Sequence, residues 1–143
     1  MTEEKTLVLI KPPCSSRVRA IINIFETYTE AGLVILSVKY VIMHCPPFDK
    51  LYGEHSQKPF FPLLKKAYLG KNFIAACLEG KNAINKARKI NGVTDPLKAA
   101  KGTLRRKFGD LKKRDDGFIT PHNVVHGSDS PENAAREILV FFP

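Results

Sequence analysis

The stretch Asn123-Val124-Val125-His126-Gly127-Ser128-Asp129-Ser130-Pro131 decides how the rest of the chain is interpreted. Its two valines are β-branched and favour an extended backbone, so the stretch begins as the end of a strand. Gly127 permits a sharp turn. Ser130 followed by Pro131 is typical of a helix N-cap and a first helical position. We therefore predict a strand, a tight turn and a helix in this order.

His126 is predicted to project from the strand end beside the N-terminus of that helix. The helix dipole and the free N–H groups there attract anions, and an imidazole next to a bound phosphate can attack phosphorus. On spacing alone, a histidine that merely caps or fills the turn is the other interpretation. Both interpretations remain open at this point.

Composition limits the class of protein. The chain has 143 residues, of which 43% are hydrophobic, and this suits a single domain over residues 1–143. Its formal net charge is +9, from 23 basic and 14 acidic residues, so its surface should attract nucleotides, nucleic acid or acidic membranes. The densest basic run extends over residues 105–114.

Cysteine usage and the chain start indicate the compartment. The three cysteines are far apart and have neither C-x-x-C nor zinc-site spacing, which favours a reducing environment. The short acidic N-terminus resembles neither a signal peptide nor a typical transit peptide. No apolar run approaches the roughly 20 residues that span a membrane. We expect a cytoplasmic protein that does not cross a membrane.

Hydrophobic periodicity predicts four strands and five helices. The strands are predicted over residues 6–10, 33–43, 73–78 and 124–126, and the helices over 16–31, 48–55, 60–69, 81–90 and 131–141. The helices at 48–55 and 60–69 form a surface hairpin. Without it, the order is that of a ferredoxin-like βαββαβ sandwich with a C-terminal helix, an α/β (α+β) fold.

Two details of this pattern are open to direct comparison with a structure. The helix at 16–31 is predicted to bury one stripe, formed by Val18, Ile21, Ile22, Phe25 and Tyr28. Residues 91–116 show neither helical nor strand period and are predicted to be a long loop, a type of segment that is often functional.

Several short motifs follow one another in a fixed order along the chain. They are Thr6-Leu7-Val8-Leu9-Ile10-Lys11-Pro12, Tyr52-Gly53-Glu54-His55, Lys58-Pro59-Phe60-Phe61, Asn91-Gly92-Val93-Thr94-Asp95-Pro96, Gly102-Thr103-Leu104-Arg105 and the His126 stretch. The ordered set resembles the nucleoside diphosphate kinase family, and the resemblance extends from about Lys5 to Phe142. It implies the ferredoxin-like fold and transfer of a γ-phosphate from a nucleoside triphosphate to a nucleoside diphosphate.

Phosphate-binding motifs of other kinases are absent. The sequence contains no G-x-x-x-x-G-K-[ST] and none of the protein-kinase motifs. A covalent route through a histidine needs neither, because it divides the transfer into two half-reactions at one nucleotide site. The expected kinetics are therefore ping-pong.

The resemblance implies a role for each of ten residues. His126 is similar to the phosphorylated nucleophile, and Ser128 and Glu137 to its supports. The phosphate-holding groups correspond to Tyr52, Arg88, Thr94 and Arg105. Lys11 and Asn123 correspond to the ribose and phosphate-bridging contacts, and Phe60 to the platform on which the base stacks. Mg²⁺ is expected to arrive with the nucleotide and to need few protein ligands, so we assign no metal-binding residue; Asp129 could assist through water. The family also implies a homo-oligomer, a hexamer more often than a tetramer.

The sequence departs from the family pattern at a few places. Pro13-Cys14 follows Lys11-Pro12 where the family usually has an acidic residue, Leu51 replaces a common histidine, and Lys101 replaces a frequent proline. The segment between Arg105 and Asn123 is longer than in the common short forms. We expect its charged part, residues 110–120, to be a surface excursion. The residue that covers the second face of the base is Leu111, Phe118, Ile119 or none.

Two alternatives to an active kinase remain. The +9 charge and the basic run also suit a nucleic-acid-binding module on the same fold. An inactive scaffold is the other alternative, and the presence of His126, Lys11, Arg88, Arg105 and Asn123 argues against it.

Overall fold

Four strands form one antiparallel sheet in the computed structural model, which describes residues 3–113 and 118–143. They are β1 (Glu3–Ile10), β2 (Val34–Ile42), β3 (Asn72–Lys81) and β4 (Val125–Gly127). Their order across the sheet is β2-β3-β1-β4, and every neighbouring pair is antiparallel. The predicted ferredoxin-like arrangement is confirmed.

Helices cover the sheet. They are α1 (Val18–Glu30), α2 (Cys45–Tyr52), α3 (Phe61–Tyr68), α4 (Ala83–Asn91), α5 (Leu104–Phe108) and α6 (Pro131–Phe141), with short 3-10 turns at Cys14–Ser16, Gly53–His55 and Thr120–His122. Among the described residues, no helix has the length and apolar character needed to cross a membrane.

Alternate side chains of β1 enter two hydrophobic clusters. Val8 and Ile10 pack into the cluster that contains residues of α1 and α4. Leu7 and Leu9 pack into the cluster that contains residues of α2, α3 and α6. All four side chains are fully buried. A strand covered on both faces is a continuous apolar run, and this explains the sequence pattern from which β1 was predicted.

The helices differ most from the prediction at two places. Residues 91–116 contain α5, which the prediction omits; the Thr103 hydroxyl caps it by accepting a hydrogen bond of 3.4 Å from the Arg106 amide. The helix predicted at 48–55 begins at Cys45, because Pro46 and Pro47 lie in the first turn, where a missing N–H costs no intrahelical bond.

The buried face of α1 is also rotated relative to the prediction. Ala20, Ile24 and Tyr28, spaced four residues apart, are its buried residues. Val18 and Ile22 are 69% and 54% exposed, so their assignment to the core is wrong. Apolar residues occupy two adjacent faces of this helix, and periodicity alone does not tell which one packs on the sheet.

A tight turn precedes β4. Val124 has a φ of 74°, and the Val125 amide donates to the Asn123 carbonyl at 2.8 Å, the pattern of a γ-turn. The prediction of an extended Val124 is therefore wrong. The Lys11 amide donates to the Val124 carbonyl at 2.7 Å, which ties the turn to the end of β1.

Candidate active site

A cavity of about 290 Å³ gathers eight of the ten predicted site residues. These eight are Lys11, Tyr52, Arg88, Thr94, Arg105, Asn123, His126 and Glu137. Ser128 lies behind Glu137, to which it is hydrogen-bonded. Phe60 is not among the described residues that line the cavity, and its side chain is 37% exposed at the start of α3. Topology thus brings together groups that are as many as 126 positions apart in sequence (Lys11 to Glu137).

Strand register directs His126 toward α6. His126 pairs with Leu9 across β1 and β4, and Leu9 belongs to the cluster that α6 covers. Its Nε2 lies 2.8 Å from Oε1 of Glu137, and the Ser128 hydroxyl donates to the same oxygen at 2.7 Å. One carboxylate oxygen therefore holds both the imidazole and the serine.

The charge of Glu137 determines what His126 presents to the cavity. Burial acts to raise the pKa of Glu137, but the hydrogen bond and charge of His126 and the bond from Ser128 outweigh it, so the pKa lies below the ordinary value. An ionised carboxylate is only an acceptor. Nε2 of His126 is therefore assigned as the donor, and Nδ1 keeps its lone pair in the neutral ring.

Lys11 and Asn123 meet as predicted from the topology. Nζ of Lys11 donates to Oδ1 of Asn123 at 2.8 Å, and Nδ2 of Asn123 donates to the Thr94 carbonyl at 3.0 Å. Lys11 is only 2% exposed. Its burial, and next the neighbouring Arg105 charge, lower the pKa of Lys11 well below the ordinary value.

Arg105 ties three chain segments together. Its guanidinium donates to the Gly92 carbonyl at 2.7 Å and to the Val125 carbonyl at 2.8 Å. Gly92 adopts a φ of 89°, and a Cβ there would lie 2.7 Å from the Thr103 hydroxyl, so this position requires glycine. Burial lowers the pKa of Arg105, and the nearby Arg88 charge acts in the same direction. Arg88 itself is exposed in the last turn of α4 and lines the cavity.

Tyr52 closes the cavity from α2. Its ring packs 5.2 Å from that of Phe48 and 5.5 Å from that of Tyr68, measured between centroids, and it is 7% exposed. Burial, followed by the charge of Glu137, raises the pKa of Tyr52, so the phenol is neutral and can donate a hydrogen bond.

His55 and Asn133 also line the cavity, although the prediction assigns them no role. Nδ1 of His55 is buried and makes no hydrogen bond within the described part of the chain. The sequence did carry a signal for His55, because it belongs to the motif Tyr52-Gly53-Glu54-His55. The prediction assigned a role only to the tyrosine of that motif. Asn133 donates to Asp129 at 2.6 Å, and this bond is the main reason why the pKa of Asp129 is lowered.

Known proteins similar to this chain identify its family. The family model described as "Nucleoside diphosphate kinase" matches residues 4–143. The chain belongs to the nucleoside diphosphate kinase family. It is 39% identical over 142 residues to the nucleoside diphosphate kinase of Bdellovibrio bacteriovorus, covering 99% of this chain and 94% of that one. It is 42% identical over 140 residues to that of Pelotomaculum thermopropionicum, covering 97% and 87%.

Solved structures of the nucleoside diphosphate kinase family have the same fold. The Aquifex aeolicus nucleoside diphosphate kinase superposes with a TM-score of 0.85 at 30% identity, over 99% of this chain and 96% of that chain. The Encephalitozoon cuniculi enzyme gives 0.83 at 33% identity, over 97% and 88%. The family, fold and kinase predictions are confirmed, and the nucleic-acid-binding or scaffold alternative is not supported. The roles of individual residues remain predictions.

Proposed function

We propose that the chain transfers the γ-phosphate of a nucleoside triphosphate to His126 and then to a nucleoside diphosphate in the same cavity. The observation that carries this proposal is the 2.8 Å contact between Nε2 of His126 and Glu137. With the Nε2 proton held by the carboxylate, the Nδ1 lone pair forms the bond to phosphorus. The bond from phosphorus to the β–γ bridging oxygen breaks, and that oxygen leaves with the electron pair on the diphosphate. The second half-reaction reverses these steps with another diphosphate.

The cations of the cavity suit the transferred group. We assign Arg88 and Arg105 to the phosphate oxygens, because a guanidinium fork can make paired bonds to them. Tyr52 and Thr94 are assigned to the same oxygens as neutral donors. We add His55 to this set, because it lines the cavity and its buried Nδ1 makes no hydrogen bond within the described part of the chain.

The Lys11–Asn123 pair is assigned to the ribose. Both side chains can donate to hydroxyl groups, and their mutual bond fixes their positions before a nucleotide arrives. The nucleotide's 3′-hydroxyl is then able to bond the oxygen that bridges the β- and γ-phosphates. That oxygen gains negative charge as the γ-phosphate departs, so the contact strengthens in the transition state.

Phe60 is assigned as the platform for the base. A phenylalanine ring stacks on any base, because every base presents a π-face. We therefore expect broad base tolerance, with no preference beyond roughly a thousandfold, or about 4 kcal/mol.

Magnesium is proposed to arrive with the nucleotide. No group of three or more His, Cys, Asp or Glu side chains within residues 3–113 and 118–143 is placed to hold a metal ion alone. Asp129 and Glu54 nevertheless line the cavity, and Asp129 stays ionised through its lowered pKa. These carboxylates fit an ion that keeps most of its water ligands, and Asp129 would hold it through water. When bound, Mg²⁺ would neutralise charge on the phosphates.

A homo-oligomer, a hexamer in preference to a tetramer, is part of the proposal. The edge strand β2 supports association because its apolar side chains are solvent-exposed in the isolated chain: Val34, Leu36, Val38, Tyr40 and Ile42 are between 43% and 59% exposed. Nucleic acid is at most a secondary partner, attracted by the +9 charge. A cytoplasmic location fits the free state of all three cysteines.

Labelling with [γ-³²P]ATP tests the assignment of His126. The protein should acquire a label that is acid-labile and stable in alkali, as expected of phosphate bound to nitrogen. His126→Ala should remove both label and turnover, whereas His44→Ala, at the exposed N-cap of α2, should retain them. A folded His126→Ala protein with normal label and turnover would disprove the nucleophile.

A further inference from the structure

The helices α2 and α3 both end at a tyrosine. Tyr52 is the last residue of α2, and Tyr68 is the last residue of α3. Their ring centroids lie 5.5 Å apart, with the ring planes tilted by 48°. Tyr52 lines the cavity, whereas Tyr68, which is 1% exposed, is not among the described residues that line it. Tyr68 therefore contacts Tyr52 from the core.

The two phenol hydroxyls are buried side by side. They approach each other, but neither makes a hydrogen bond of standard geometry within the part of the chain that the structure describes. An unsatisfied buried hydroxyl is uncommon in folded proteins. Two adjacent ones, of which one belongs to a cavity-lining residue, indicate a pair that a ligand completes.

Charges on the two sides of the pair favour Tyr68 as the donor. Burial is the main reason why the pKa of each phenol is raised; after burial, Glu137 raises the pKa of Tyr52 further, whereas Arg105 opposes the rise for Tyr68. A negative charge thus acts on Tyr52 and a positive charge on Tyr68. Hydroxyl dipoles orient in such a field, with the hydrogen pointing away from the cation. The hydrogen of Tyr68 is therefore directed toward the oxygen of Tyr52.

Contacts of its ring hold Tyr68 in this position independently of its hydroxyl. Phe73 contacts the ring edge-on, with 5.1 Å between centroids and 87° between planes. Nζ of Lys11 lies 5.7 Å from the centroid of the Tyr68 ring, within the range of a cation–π contact. Phenylalanine would keep both contacts, because they depend on the ring alone. Tyr68→Phe therefore removes the hydroxyl and leaves the ring in place.

We propose that Tyr68 is a positioning residue for phosphate binding: it donates to the oxygen of Tyr52, and Tyr52 donates to a phosphate oxygen. This phenol relay rests on the proposed assignment of Tyr52 to the phosphates. Hydrogen bonds in such a chain strengthen one another, because a hydroxyl that accepts a bond becomes a better donor. The bond to the phosphate anion is charge-assisted and is the strong end of the chain. Tyr68 thus acts on phosphate transfer without touching the nucleotide.

A double-mutant cycle of the two hydroxyls is the first test. Tyr52→Phe should lower the second-order rate constant for phosphorylation of His126 by ATP about tenfold, and Tyr68→Phe about fivefold, effects in the range of one hydrogen bond. Because both substitutions interrupt the same chain, the double variant should be only about tenfold slower than the parent. Independent effects would multiply to about fiftyfold. A double variant about fiftyfold slower, or a Tyr68→Phe rate constant within twofold of the parent, would overturn the relay.

A matched control separates the relay from a loss of core stability. Tyr28 is also fully buried, and its hydroxyl donates to Oδ1 of Asn91 at 2.5 Å. Neither of these two is among the described residues that line the cavity. Tyr28→Phe should therefore lower the free energy of unfolding in urea but keep the phosphorylation rate constant within twofold of the parent. An equal loss of rate in Tyr28→Phe and Tyr68→Phe would overturn the relay, because the hydroxyl of Tyr68 would then act only through stability.

Infrared difference spectra provide a second measurement that needs no substitution of Tyr68. The C–O stretching frequency of a phenol rises when the phenol donates a hydrogen bond and falls when it accepts one. The four tyrosines of the chain are labelled with ¹³C at the carbon that bears the hydroxyl. Binding of the non-transferable triphosphate β,γ-methylene-ATP should shift two tyrosine bands in the parent and none in Tyr52→Phe. A single shifted band in the parent, or a remaining shift in Tyr52→Phe, would contradict the relay.

The labelling rates also distinguish failure of the relay from failure of the proposed function. A labelled parent with a slow Tyr52→Phe variant and an unaffected Tyr68→Phe variant refutes only the relay. A labelled parent with an unaffected Tyr52→Phe variant refutes the assignment of Tyr52 to the phosphates, and the relay with it. An unlabelled parent refutes the proposed phosphohistidine and therefore also the relay that serves it.

Discussion

The residues around His126 form two groups of opposite character. The acidic group consists of Glu137 and Ser128, which hydrogen-bond to each other, and Glu137 also holds the imidazole. The cationic group consists of Lys11, Arg88 and Arg105, which line the same cavity. The acidic group is complete without a ligand, whereas the cationic group places like charges close together. Orientation of the proposed nucleophile is thus part of the fold, and a bound phosphate would relieve a repulsion that the fold leaves in place.

Burial lowers the pKa values of two of the cations, and the same repulsion lowers them further. Arg105 contributes to the lowered pKa of Lys11, and Arg88 contributes to the lowered pKa of Arg105. An anion that binds among these groups stabilises the folded state in proportion to its affinity; at a hundred times the Kd the gain is about 2.7 kcal/mol.

The largest predicted effect separates two members of the cationic group. Arg88→Ala and Arg105→Ala should each slow phosphorylation of His126 by roughly 10²- to 10³-fold, because each removes a donor aimed at developing charge. Only Arg105→Ala should also lose stability, by about 2–4 kcal/mol, since it alone of the two ties the Gly92 and Val125 carbonyls together. Single-turnover labelling and urea denaturation measure the two effects. Equal stability of the variants would show that the Arg105 bonds contribute little.

The next effect concerns Lys11 and the substrate's own hydroxyl. A 2′,3′-dideoxy triphosphate should bind within about tenfold of its 2′-deoxy parent yet phosphorylate His126 at least a hundredfold more slowly, a loss of roughly 2.7 kcal/mol. Lys11→Met should shrink this difference, because the hydroxyl loses its positioning partner. Pre-steady-state kinetics decide the point, and equal rates at saturation would mean that the hydroxyl takes no part in the chemistry.

A smaller kinetic effect is expected in the acidic group. Glu137→Gln keeps the shape of the side chain but weakens its hold on Nε2, so phosphorylation should slow by about tenfold while the nucleotide Kd stays nearly constant. Glu132→Gln, in the exposed first turn of α6, is the matched control. A change confined to Kd would place Glu137 in nucleotide binding and not in orientation.

The smallest effect is on stability in acid. The folded-state pKa of Glu137 lies below its ordinary value of 4.5, so in this range the unfolded chain binds more protons. Its contribution to stability is present above about pH 4.5 and is lost as the pH falls toward the folded-state pKa. Glu137→Gln should therefore show a shallower fall in unfolding free energy as the pH falls below about 4.5. The free energy of unfolding of both proteins is measured in parallel as the pH is lowered. Identical curves would show that other carboxylates determine the acid sensitivity.

Local sequence signals predicted some parts of the molecule accurately. The bounds of α6 were predicted without error, because Ser130 caps it by accepting from the Asn133 amide at 3.1 Å and Pro131 opens it. The predicted strand order was sufficient to place Lys11 close to Asn123, and the two side chains are hydrogen-bonded in the structure. These features depend on neighbours in sequence or on topology, and both can be inferred from a pattern.

Features that depend on tertiary packing were not predicted from the sequence. Thr103 caps α5 within a polar stretch that has no apolar period, so nothing marked a helix there. His55 lines the cavity from the turn that follows α2, and α2 packs against α6. The segment 110–120 was predicted to be a surface excursion: residues 110–113 are exposed, but Phe118 packs inward, and residues 114–117 lie outside the described part of the chain. Because this irregular segment contains three apolar candidates, its sequence did not determine that Phe118 contacts Phe60, with 6.5 Å between the ring centroids.

The left-handed backbone conformation of Val124 changes the face of the sheet to which the neighbouring side chains point. In a regular strand, consecutive side chains point to opposite faces, and residues three apart do so as well. Here Val124 and Val125 enter the same hydrophobic cluster, and Asn123 and His126, three residues apart, line the same cavity. The γ-turn thus interrupts the alternation of side chains between the two faces of the sheet. The unusual backbone conformation costs about 1–3 kcal/mol. Two side chains that regular pleating would place on opposite faces of the sheet therefore line one cavity.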